Sequence, residues 1–363
     1  AAEPRLFLLY RKLCPKEQFP LGKARLAPRK MVALLREICY TFVYTKNIEN
    51  ANFLLLKRRH GLGKRGKHNM EKMQLKALAK INLGLDVLRR REDGYHEVRM
   101  IMQTVHIYDR ILLEKQADPG IRVKTNLYYL PANENNLVYK AAKLLMEEFG
   151  IRGGIGIDLK KYIPVAAGMA GGSSDAAAVL FGINRMYGLG LSTEELMRRG
   201  VKIGADVPYC VMRGTALAEG IGEVLTPLPP MPPCCILVAK PGVSVSTRFV
   251  YENLQADGLS FHPDIDGMRE ALERRDLKGL AARMGQGNVL ETVTVPEYPV
   301  IQRLKDTMMR CGAQAALMSG SGPTVFGVFE SRQAAKKAFA VLKRGHLAKQ
   351  LFLTTPYNRR AIP

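Results

Sequence analysis

The stretch from Pro164 to Gly188 constrains the fold of this 363-residue chain more than any other part of its sequence. Its first half places three glycines among small residues, and its second half is alanine-rich and apolar. Glycine lets a backbone approach a bulky anion closely, and serine is a preferred residue at the start of a helix. The pattern predicts a loop, then a helix that begins at Ser173 or Ser174 and stops at Gly188.

A helix that follows such a loop points free amide groups and the positive end of its dipole at a bound anion. The stretch therefore predicts a phosphate site, although a tight loop before a closely packed alanine helix has the same spacing. No lysine follows the glycines as in a Walker loop, and the layout of a dinucleotide-binding fingerprint is missing. A different class of phosphate-binding protein is indicated.

A second informative segment is the strict alternation of apolar and polar residues over positions 75–87, which predicts a half-buried strand. At a rise of about 3.3 Å per residue, Lys80 and Asn82 lie on one face of this strand, about 6.6 Å apart. One small molecule could touch both side chains, or the face could be a solvent-facing edge. Tyr95 and His96 follow a turn, where an aromatic pair usually serves packing.

The net charge of +22 is distributed unevenly along the chain. Residues 1–72 hold 17 Lys and Arg against 5 Asp and Glu, or +12, which leaves +10 for the other 291 residues. The Gly61 to Gly66 segment fits G-x-G-x-x-G, but it follows a basic run rather than a buried strand. We expect a solvated basic extension with no dedicated nucleic-acid site. An apolar content of 47% excludes disorder throughout.

The cysteine pattern and the hydropathy of the chain indicate its redox environment and whether it could span a membrane. The six cysteines show no C-x-x-C pair or metal-finger spacing, which predicts a reducing compartment such as the cytoplasm. The apolar stretch at 31–44 is interrupted by Arg36 and Glu37 and is too short to span a bilayer. Met70 and Met73 stand just before the first strand, so an upstream-extended reading frame is a further hypothesis for residues 1–72.

Five motifs follow one another in an order that resembles the GHMP kinases, over about residues 73 to 357. They are Ala79 to Leu83, Asp93 to Glu97, Pro164 to Ser174, Gly204 to Pro208 and Ser319 to Thr324. The resemblance implies an α+β, two-domain GHMP kinase fold behind a basic N-terminal extension at 1–72. A ribosomal-protein-S5-like N-terminal domain is expected at 73–230, and a ferredoxin-like C-terminal domain at 231–357.

The second half of the chain fits this layout. Five prolines at 227–233 predict the connection between the domains. The segments that follow are interpreted as a strand at 236–239, helices around 267–284 and 297–311, a strand at 324–329 and a helix at 331–344.

The resemblance also implies roles for individual residues. Lys80 and Asp206 would be the catalytic pair, Asp206 accepting the proton of the attacking hydroxyl while Lys80 keeps that carboxylate ionised. Without the other motifs, Asp206 beside Pro208 could be an ordinary turn acid. The expected ATP-binding residues are Pro164, Val165, Ala166, Ala167, Gly168, Met169, Ala170, Gly171, Gly172, Ser173 and Ser174. The expected substrate-binding residues are Asn82, Tyr95, His96, Gly320, Ser321 and Gly322, with the two aromatic side chains on a cytosine ring.

The implied activity is ATP-dependent phosphorylation of the 2-hydroxyl of 4-diphosphocytidyl-2-C-methyl-D-erythritol, in non-mevalonate isoprenoid precursor biosynthesis. ATP would be the co-substrate with Mg²⁺, for which Ser174 is a candidate ligand. The enzyme would be a monomer or a homodimer. Another small-molecule kinase of this family, of the homoserine or mevalonate type, is one alternative, and a nucleic-acid-binding protein with a degenerate kinase domain is another.

Two alanines depart from the family pattern. Ala166 and Ala170 stand where many GHMP kinases carry glycine. Because alanine disfavours positive φ, the sequence gives no reason to expect a left-handed backbone at either position.

Overall fold

The alternating segment forms the first strand of the computed structural model, which describes residues 70–285 and 287–358. All of the basic extension before residue 70 lies outside the described residues. Strand β1 (Lys72–Arg90) pairs with β2 (His96–Gln116) in antiparallel register, with irregularities between Leu78 and Lys80, Asn82 and Gly84, and Val87 and Arg89.

The middle of β1 is buried on both faces, and the interpretation of its polar face as a solvent-facing edge is wrong. Lys80 is only 5% exposed and Asn82 is 0% exposed. The apolar side chains of β1 contribute to two separate hydrophobic clusters.

The first sheet is built around β2, which pairs with three other strands. Its strand order is β3-β4-β2-β5-β6, with β1 also paired to β2. The additional strands are β3 (Gly120–Thr125), β4 (Gly154–Lys160), β5 (Thr215–Glu219) and β6 (Val224–Pro227). Only the β3 and β4 pair of this sheet is parallel.

Four helices accompany this sheet: α1 (Leu137–Glu148), α2 (Gly171–Tyr187), α3 (Thr193–Val201) and α4 (Val207–Met212). Helix α2 carries the predicted alanine-rich stretch, and its alanines 176–178 are buried. At Gly182 an added Cβ would meet Leu113 and would lie 2.7 Å from Leu75 Cδ1. The small residues therefore allow α2 to lie closely against β1 and β2.

The predicted end of α2 is confirmed, but its predicted start is wrong. The helix ends before Gly188, which has a φ of +62°. It begins at Gly171, preceded by Ala170 with no side-chain cap. Ser174 does not cap the helix because its Oγ donates to the carbonyl of Leu78, at 2.7 Å.

The second sheet is antiparallel, with the order β10-β7-β9-β8. Its strands are β7 (Cys235–Lys240), β8 (Ala315–Met318), β9 (Val325–Phe329) and β10 (Gln350–Thr354). Its helices are α5 (Thr247–Asn253), α6 (Ile265–Glu273), α7 (Leu277–Met284), α8 (Glu291–Glu297), α9 (Val300–Arg310) and α10 (Arg332–Arg344), with a short 3₁₀ turn at Ala256–Gly258.

Most elements predicted here are confirmed, including β7, β9 and α10. The helix expected around 267–284 is in fact two helices, because Asp276 caps α7 by accepting from the amide of Gly279 at 2.9 Å. The helix expected at 297–311 starts only at Val300, after Pro299.

The proline-rich segment at 227–233 lies between the last strand of the first sheet and the first strand of the second. We propose that the boundary between the two domains falls here, near residue 230. Within residues 70–285 and 287–358, no helix is long and apolar enough to cross a membrane.

Candidate active site

One cavity of about 1010 Å³ collects most of the residues that the sequence singled out. Lys80 and Asn82 line it from β1, Asp206 from the start of α4, and Tyr95 and His96 from the beginning of β2. The remaining expected residues on its walls are Pro164, Val165, Ala166, Ala167, Gly168, Ala170, Gly171, Gly172, Ser173, Gly320 and Ser321. Three expected residues, Met169, Ser174 and Gly322, do not line it.

The wall formed by the glycine-rich loop has an unusual backbone. Ala166, Gly168 and Ala170 have φ values of +49°, +71° and +52°. Both alanines therefore adopt a left-handed backbone, which alanine disfavours and their sequence did not indicate. Left-handed residues within a turn shape the backbone into a concavity that binds anions, and the start of α2 adds free amides beside it.

The second glycine loop, residues 319–322, meets the first loop at Gly168. An added Cβ at Gly168 would overlap the carbonyl of Ser319, and Ser319 Oγ donates to the carbonyl of Gly168 at 2.9 Å. A Cβ at Gly320 would lie 3.4 Å from Gly168 Cα and 3.5 Å from Asn82 Oδ1. The two loops therefore join where β1 presents its polar side chains.

The shared face predicted for β1 is present. Lys80 Nζ donates to Asn82 Oδ1 at 2.7 Å, and Asn82 Nδ2 donates to Met100 Sδ at 3.1 Å. Asp206 stands before α4, and its carboxylate makes no hydrogen bond within the helix cap. Among the described residues no ion pair joins Lys80 to Asp206, and both side chains line the same cavity.

An aromatic corner closes one end of the cavity. Tyr95 is 60% exposed, while the rings of His96 and Tyr251 lie 5.1 Å apart between centroids. Burial, together with the charge of Arg90, lowers the pKa of His96, which keeps its imidazole neutral at neutral pH. Burial, followed by the charge of Asp206, raises the pKa of the Tyr251 phenol.

Tyr251 was missed by the sequence analysis because it belongs to none of the five motifs. It reaches the cavity from α5, a short helix of the second half of the chain. Only the tertiary fold places it beside His96, and no local pattern around it could have indicated this position.

A second group that the sequence analysis missed is a buried cluster of three charges under the first glycine loop. Lys161 Nζ donates to Asp109 and, at 2.6 Å, to Asp175 Oδ2. Asp109 Oδ1 also accepts from the amides of Tyr162 and Ile163, at 2.5 and 2.8 Å. The sequence signal was the placement of Asp109 in the apolar run of β2.

The two carboxyls of this cluster differ in their surroundings. Asp109 has three donors, whereas Asp175 Oδ1 has no partner. Burial raises the pKa of Asp175 well above its usual range, against the opposing charge of Lys161 and with that of Asp109. Burial disfavours the Lys161 ammonium, but the charges of Asp175 and Asp109 outweigh that and raise its pKa.

The loop before α1 also contributes to the cavity wall. This loop contributes apolar and amide groups: Leu130, Pro131, Asn135, Asn136 and Leu137. Asn136 is held in place because its side chain accepts from the amide of Val138 at 3.1 Å and donates to the carbonyl of Pro131 at 2.7 Å. Such a wall suits a flat heterocycle with polar edges.

The residues present fit a nucleotide better than they fit a protein-bound metal ion. The left-handed loop would accommodate phosphates, but the described parts of the chain contain no group of three His, Cys, Asp or Glu side chains arranged to hold a metal ion. Ser174, the candidate ligand, is 3% exposed and its Oγ is used by Leu78. Ser173 is the loop hydroxyl that lines the cavity.

Comparison with known protein families agrees with this geometry. Residues 136–214 match the GHMP kinases N terminal domain, and residues 268–347 match the GHMP kinases C terminal domain. The first match contains the glycine-rich loop and Asp206, and the second contains the loop at 319–322.

Individual relatives resemble most of the described chain. A 4-diphosphocytidyl-2-C-methyl-D-erythritol kinase from Lachnospira eligens is 57% identical over 289 residues, which cover 80% of this chain and 100% of the relative. A crystal structure of a 4-(cytidine 5'-diphospho)-2C-methyl-D-erythritol kinase superimposes with a TM-score of 0.67 at 33% identity, covering 79% of this chain and 100% of that one.

A homoserine kinase from Cytophaga hutchinsonii has a TM-score of 0.68 at 21% identity and covers 82% of this chain and 98% of its own. This similarity shows the fold alone.

Proposed function

This chain belongs to the 4-diphosphocytidyl-2-C-methyl-D-erythritol kinases of the GHMP kinase family, and we propose how its cavity carries out the reaction. The enzyme transfers a phosphoryl group from ATP to the 2-hydroxyl of that alcohol, in isoprenoid precursor biosynthesis. The observation that carries the residue assignments is the convergence of Lys80, Asp206 and both glycine loops on one cavity.

We propose that Asp206 accepts the proton of the attacking hydroxyl. Phosphoryl transfer depends mainly on alignment and charge neutralisation, and a positioned base adds about 10²- to 10⁴-fold. The Asp206 carboxylate is free of hydrogen-bond donors in the helix cap, so it can accept this proton. Lys80, fixed by Asn82, stabilises the negative charge that develops on the oxygen.

The triphosphate is proposed to lie along the loop from Pro164 to Ser173, against the amides at the start of α2. The purine would then occupy the wall formed by Leu130, Pro131 and Leu137, where the neighbouring asparagines offer edge hydrogen bonds. Lys161 lines the same cavity, but its charge is balanced by Asp109 and Asp175, so we assign it to the fixed wall of the loop and not to the binding of phosphate.

The cytosine of the acceptor substrate is proposed to occupy the aromatic corner. The exposed ring of Tyr95 and the ring of Tyr251 offer flat surfaces for stacking. A neutral His96 has one donor and one acceptor nitrogen, which suits the edge of a pyrimidine. Asn82 and Gly320 would then lie near the methylerythritol portion, between the corner and the phosphate loop.

Magnesium is proposed as the cation that accompanies ATP. Mg²⁺ keeps several waters and binds phosphate oxygens with only one or two protein ligands, so a protein site with few ligands suits it. Ser173 is the loop residue we assign to it, in place of Ser174. When bound, the ion neutralises charge on the phosphate oxygens.

The substrate assignment can be tested by ADP release in a coupled assay. We expect turnover with 4-diphosphocytidyl-2-C-methyl-D-erythritol and far less with homoserine or mevalonate, because neither competitor carries a ring for the aromatic corner. Equal or faster turnover of either competitor would reject the assignment. Nucleic-acid binding remains the alternative only if no kinase activity is found and duplex binding survives deletion of residues 1–72.

The base assignment predicts that Asp206→Asn lowers kcat by about 10²- to 10⁴-fold while the Kd for ATP stays within about twofold. The matched control is Asp118→Asn, because Asp118 is 77% exposed at the side chain and does not line the cavity. Near-normal kcat in the Asp206 variant would remove this residue from the mechanism.

We further propose a cytoplasmic location, from the cysteine pattern, and a monomer or homodimer with no dedicated nucleic-acid site. Four basic side chains line the cavity, which is sized for small molecules: Lys80 and Lys161 are buried, and Arg90 and Arg248 are exposed. Sedimentation velocity of the purified protein would determine the number of subunits.

A further inference from the structure

Asn288 is a buried polar residue that the proposed mechanism does not use. It is 1% exposed and lies in the segment between α7 and α8, outside the five motifs. A fully buried amide is costly unless its donors and acceptor are satisfied, so its partners indicate what it holds.

The acceptors of its side-chain NH₂ group are backbone carbonyls at the start of the second glycine loop. Asn288 Nδ2 donates to the carbonyls of Met318 and Gly320, at 2.8 and 2.9 Å. Its Oδ1 accepts from the amide of Leu290 at 3.0 Å, which fixes the orientation of the amide group. The loop thus receives two hydrogen bonds from a single side chain.

The backbone around Asn288 is itself attached to β1. Leu85 forms an isolated parallel bridge with Asn288, in which the amide of Leu85 donates to the carbonyl of Gly287 and the amide of Val289 donates to the carbonyl of Leu85 at 3.0 Å. β1 also carries Lys80 and Asn82. Asn288 therefore connects the strand that holds the catalytic lysine to the loop that faces it.

The loop held in this way contacts both substrate regions. Gly320 lies against Gly168 of the phosphate loop and close to Asn82, while Ser321 Oγ is 2.7 Å from Thr247 Oγ1 on the cavity wall. A displacement of Gly320 would move the junction between the phosphate donor and the acceptor.

We infer that Asn288 is a positioning residue that fixes the loop at 319–322 at the junction of the two substrates. This inference rests on the proposed function, since the junction matters for phosphoryl transfer. A misplacement of about 1 Å at a reacting centre can cost about 10²-fold in rate. Loss of Asn288 should therefore reduce kcat more than it weakens the binding of either substrate.

Two variants separate the donors of Asn288 from its acceptor. Asn288→Ala removes all three hydrogen bonds, and Asn288→Asp keeps the shape and the acceptor for Leu290 but cannot donate to Met318 or Gly320. We expect kcat to fall by about 10- to 100-fold in both, with KM for ATP and for the alcohol changed less than about threefold.

Asn184→Ala is the matched control. Asn184 also ties down a loop, donating to the carbonyl of Leu191 at 2.9 Å and accepting from its amide at 3.0 Å, but it does not line the cavity. We expect this variant to lose stability with kcat within about twofold of the parent. If the Asn288 variants lower kcat no more than Asn184→Ala does, the inference is overturned.

Hydrogen exchange measured by mass spectrometry tests the same point without substrate. The amides of Ser319 and Gly322 are hydrogen-bonded, to the carbonyls of Thr324 and Ser319 at 2.9 and 3.0 Å. We expect peptides spanning 318–324 to exchange at least about tenfold faster in both Asn288 variants and at the parent rate in Asn184→Ala. Unchanged exchange in the Asn288 variants would also overturn the inference.

The turnover and hydrogen-exchange measurements distinguish failure of the inference from failure of the proposed function. Turnover of the parent enzyme tests the function alone. Exchange in the loop tests the positioning role alone and uses folded protein without any ligand.

Discussion

The two aspartates that share the Lys161 ammonium should differ sharply in how much they stabilise the fold. Asp109→Asn places an amide donor against the ammonium, so one partner of a buried ion pair is lost. Breaking such a pair costs about 3 to 5 kcal/mol when the remaining charge has no other partner. Asp175 stays within 2.6 Å of Lys161 Nζ and offsets part of this, so we expect about 2 to 4 kcal/mol.

Asp175→Asn should cost much less, about 0 to 1 kcal/mol. Its amide oxygen can still accept from Lys161, and the atom that becomes Nδ2 replaces one that has no partner in the present structure. Because burial raises the pKa of Asp175, the neutral asparagine resembles the protonated form of this carboxyl.

Urea unfolding at pH 7, followed by tyrosine fluorescence because the chain has no tryptophan, measures the difference. We expect the midpoint of Asp109→Asn to fall by about 1 M and that of Asp175→Asn to shift only slightly. Equal losses in the two variants would refute the unequal roles assigned to the two carboxyls.

The difference in stability between the parent and Asp175→Asn should also depend on pH. A carboxyl whose folded pKa is raised stabilises the fold fully below its unfolded value, near 3.8, and this contribution is lost as pH rises toward the folded pKa. The parent should therefore lose stability relative to Asp175→Asn as pH rises above about 4. A constant difference between the two proteins across this range would show that Asp175 does not titrate as described.

Two further predictions concern the loop and the aromatic corner. Ala170→Gly should stabilise the fold by about 0.5 to 1 kcal/mol, because alanine disfavours its φ of +52° and glycine is the better N-cap. The control Ala178→Gly, inside the same helix, should destabilise the fold by about 1 kcal/mol or more. Thermal unfolding of both variants measures this, and a lower unfolding midpoint for Ala170→Gly than for the parent would contradict the prediction. Burial, followed by the charge of Arg90, lowers the pKa of His96 below its ordinary value of 6.5. We therefore expect the rise of KM for the cytidine-linked alcohol with falling pH to have its midpoint below pH 6.5, and a midpoint above 6.5 in a pH series of initial rates would contradict this.

Much of the site could be predicted from the sequence because its parts are local. The phosphate loop needs consecutive small residues, and Lys80 and Asn82 share a face through the two-residue period of a strand. Both constraints act between near neighbours in the chain. In the structure, Lys80 Nζ donates to Asn82 Oδ1 at 2.7 Å, as their shared face predicts.

Features that depend on distant partners were not accessible in this way. Ser174 has the sequence of a helix cap, yet the carbonyl of Leu78 on β1 takes its hydroxyl. The left-handed backbone of Ala166 and Ala170 is favoured by neither residue and is held by surrounding contacts, including the interlocking of Gly168 with Ser319. Tyr251 and Asn288 reach the site only through tertiary folding.

The end of the described chain returns to the first sheet, with consequences for how the protein can fold during synthesis. Gln103 Nε2 donates to the carbonyl of Tyr357, 254 residues later, and the amide of Tyr357 donates to the carbonyl of Thr104 at 2.8 Å. A ribosome-bound chain cannot make these contacts until this last segment has left the exit tunnel. The sheet that carries Lys80, the proposed catalytic lysine, is therefore completed after the residues of the second sheet have been synthesised. A tag or truncation near residue 357 would act on this sheet, most of which is encoded far upstream.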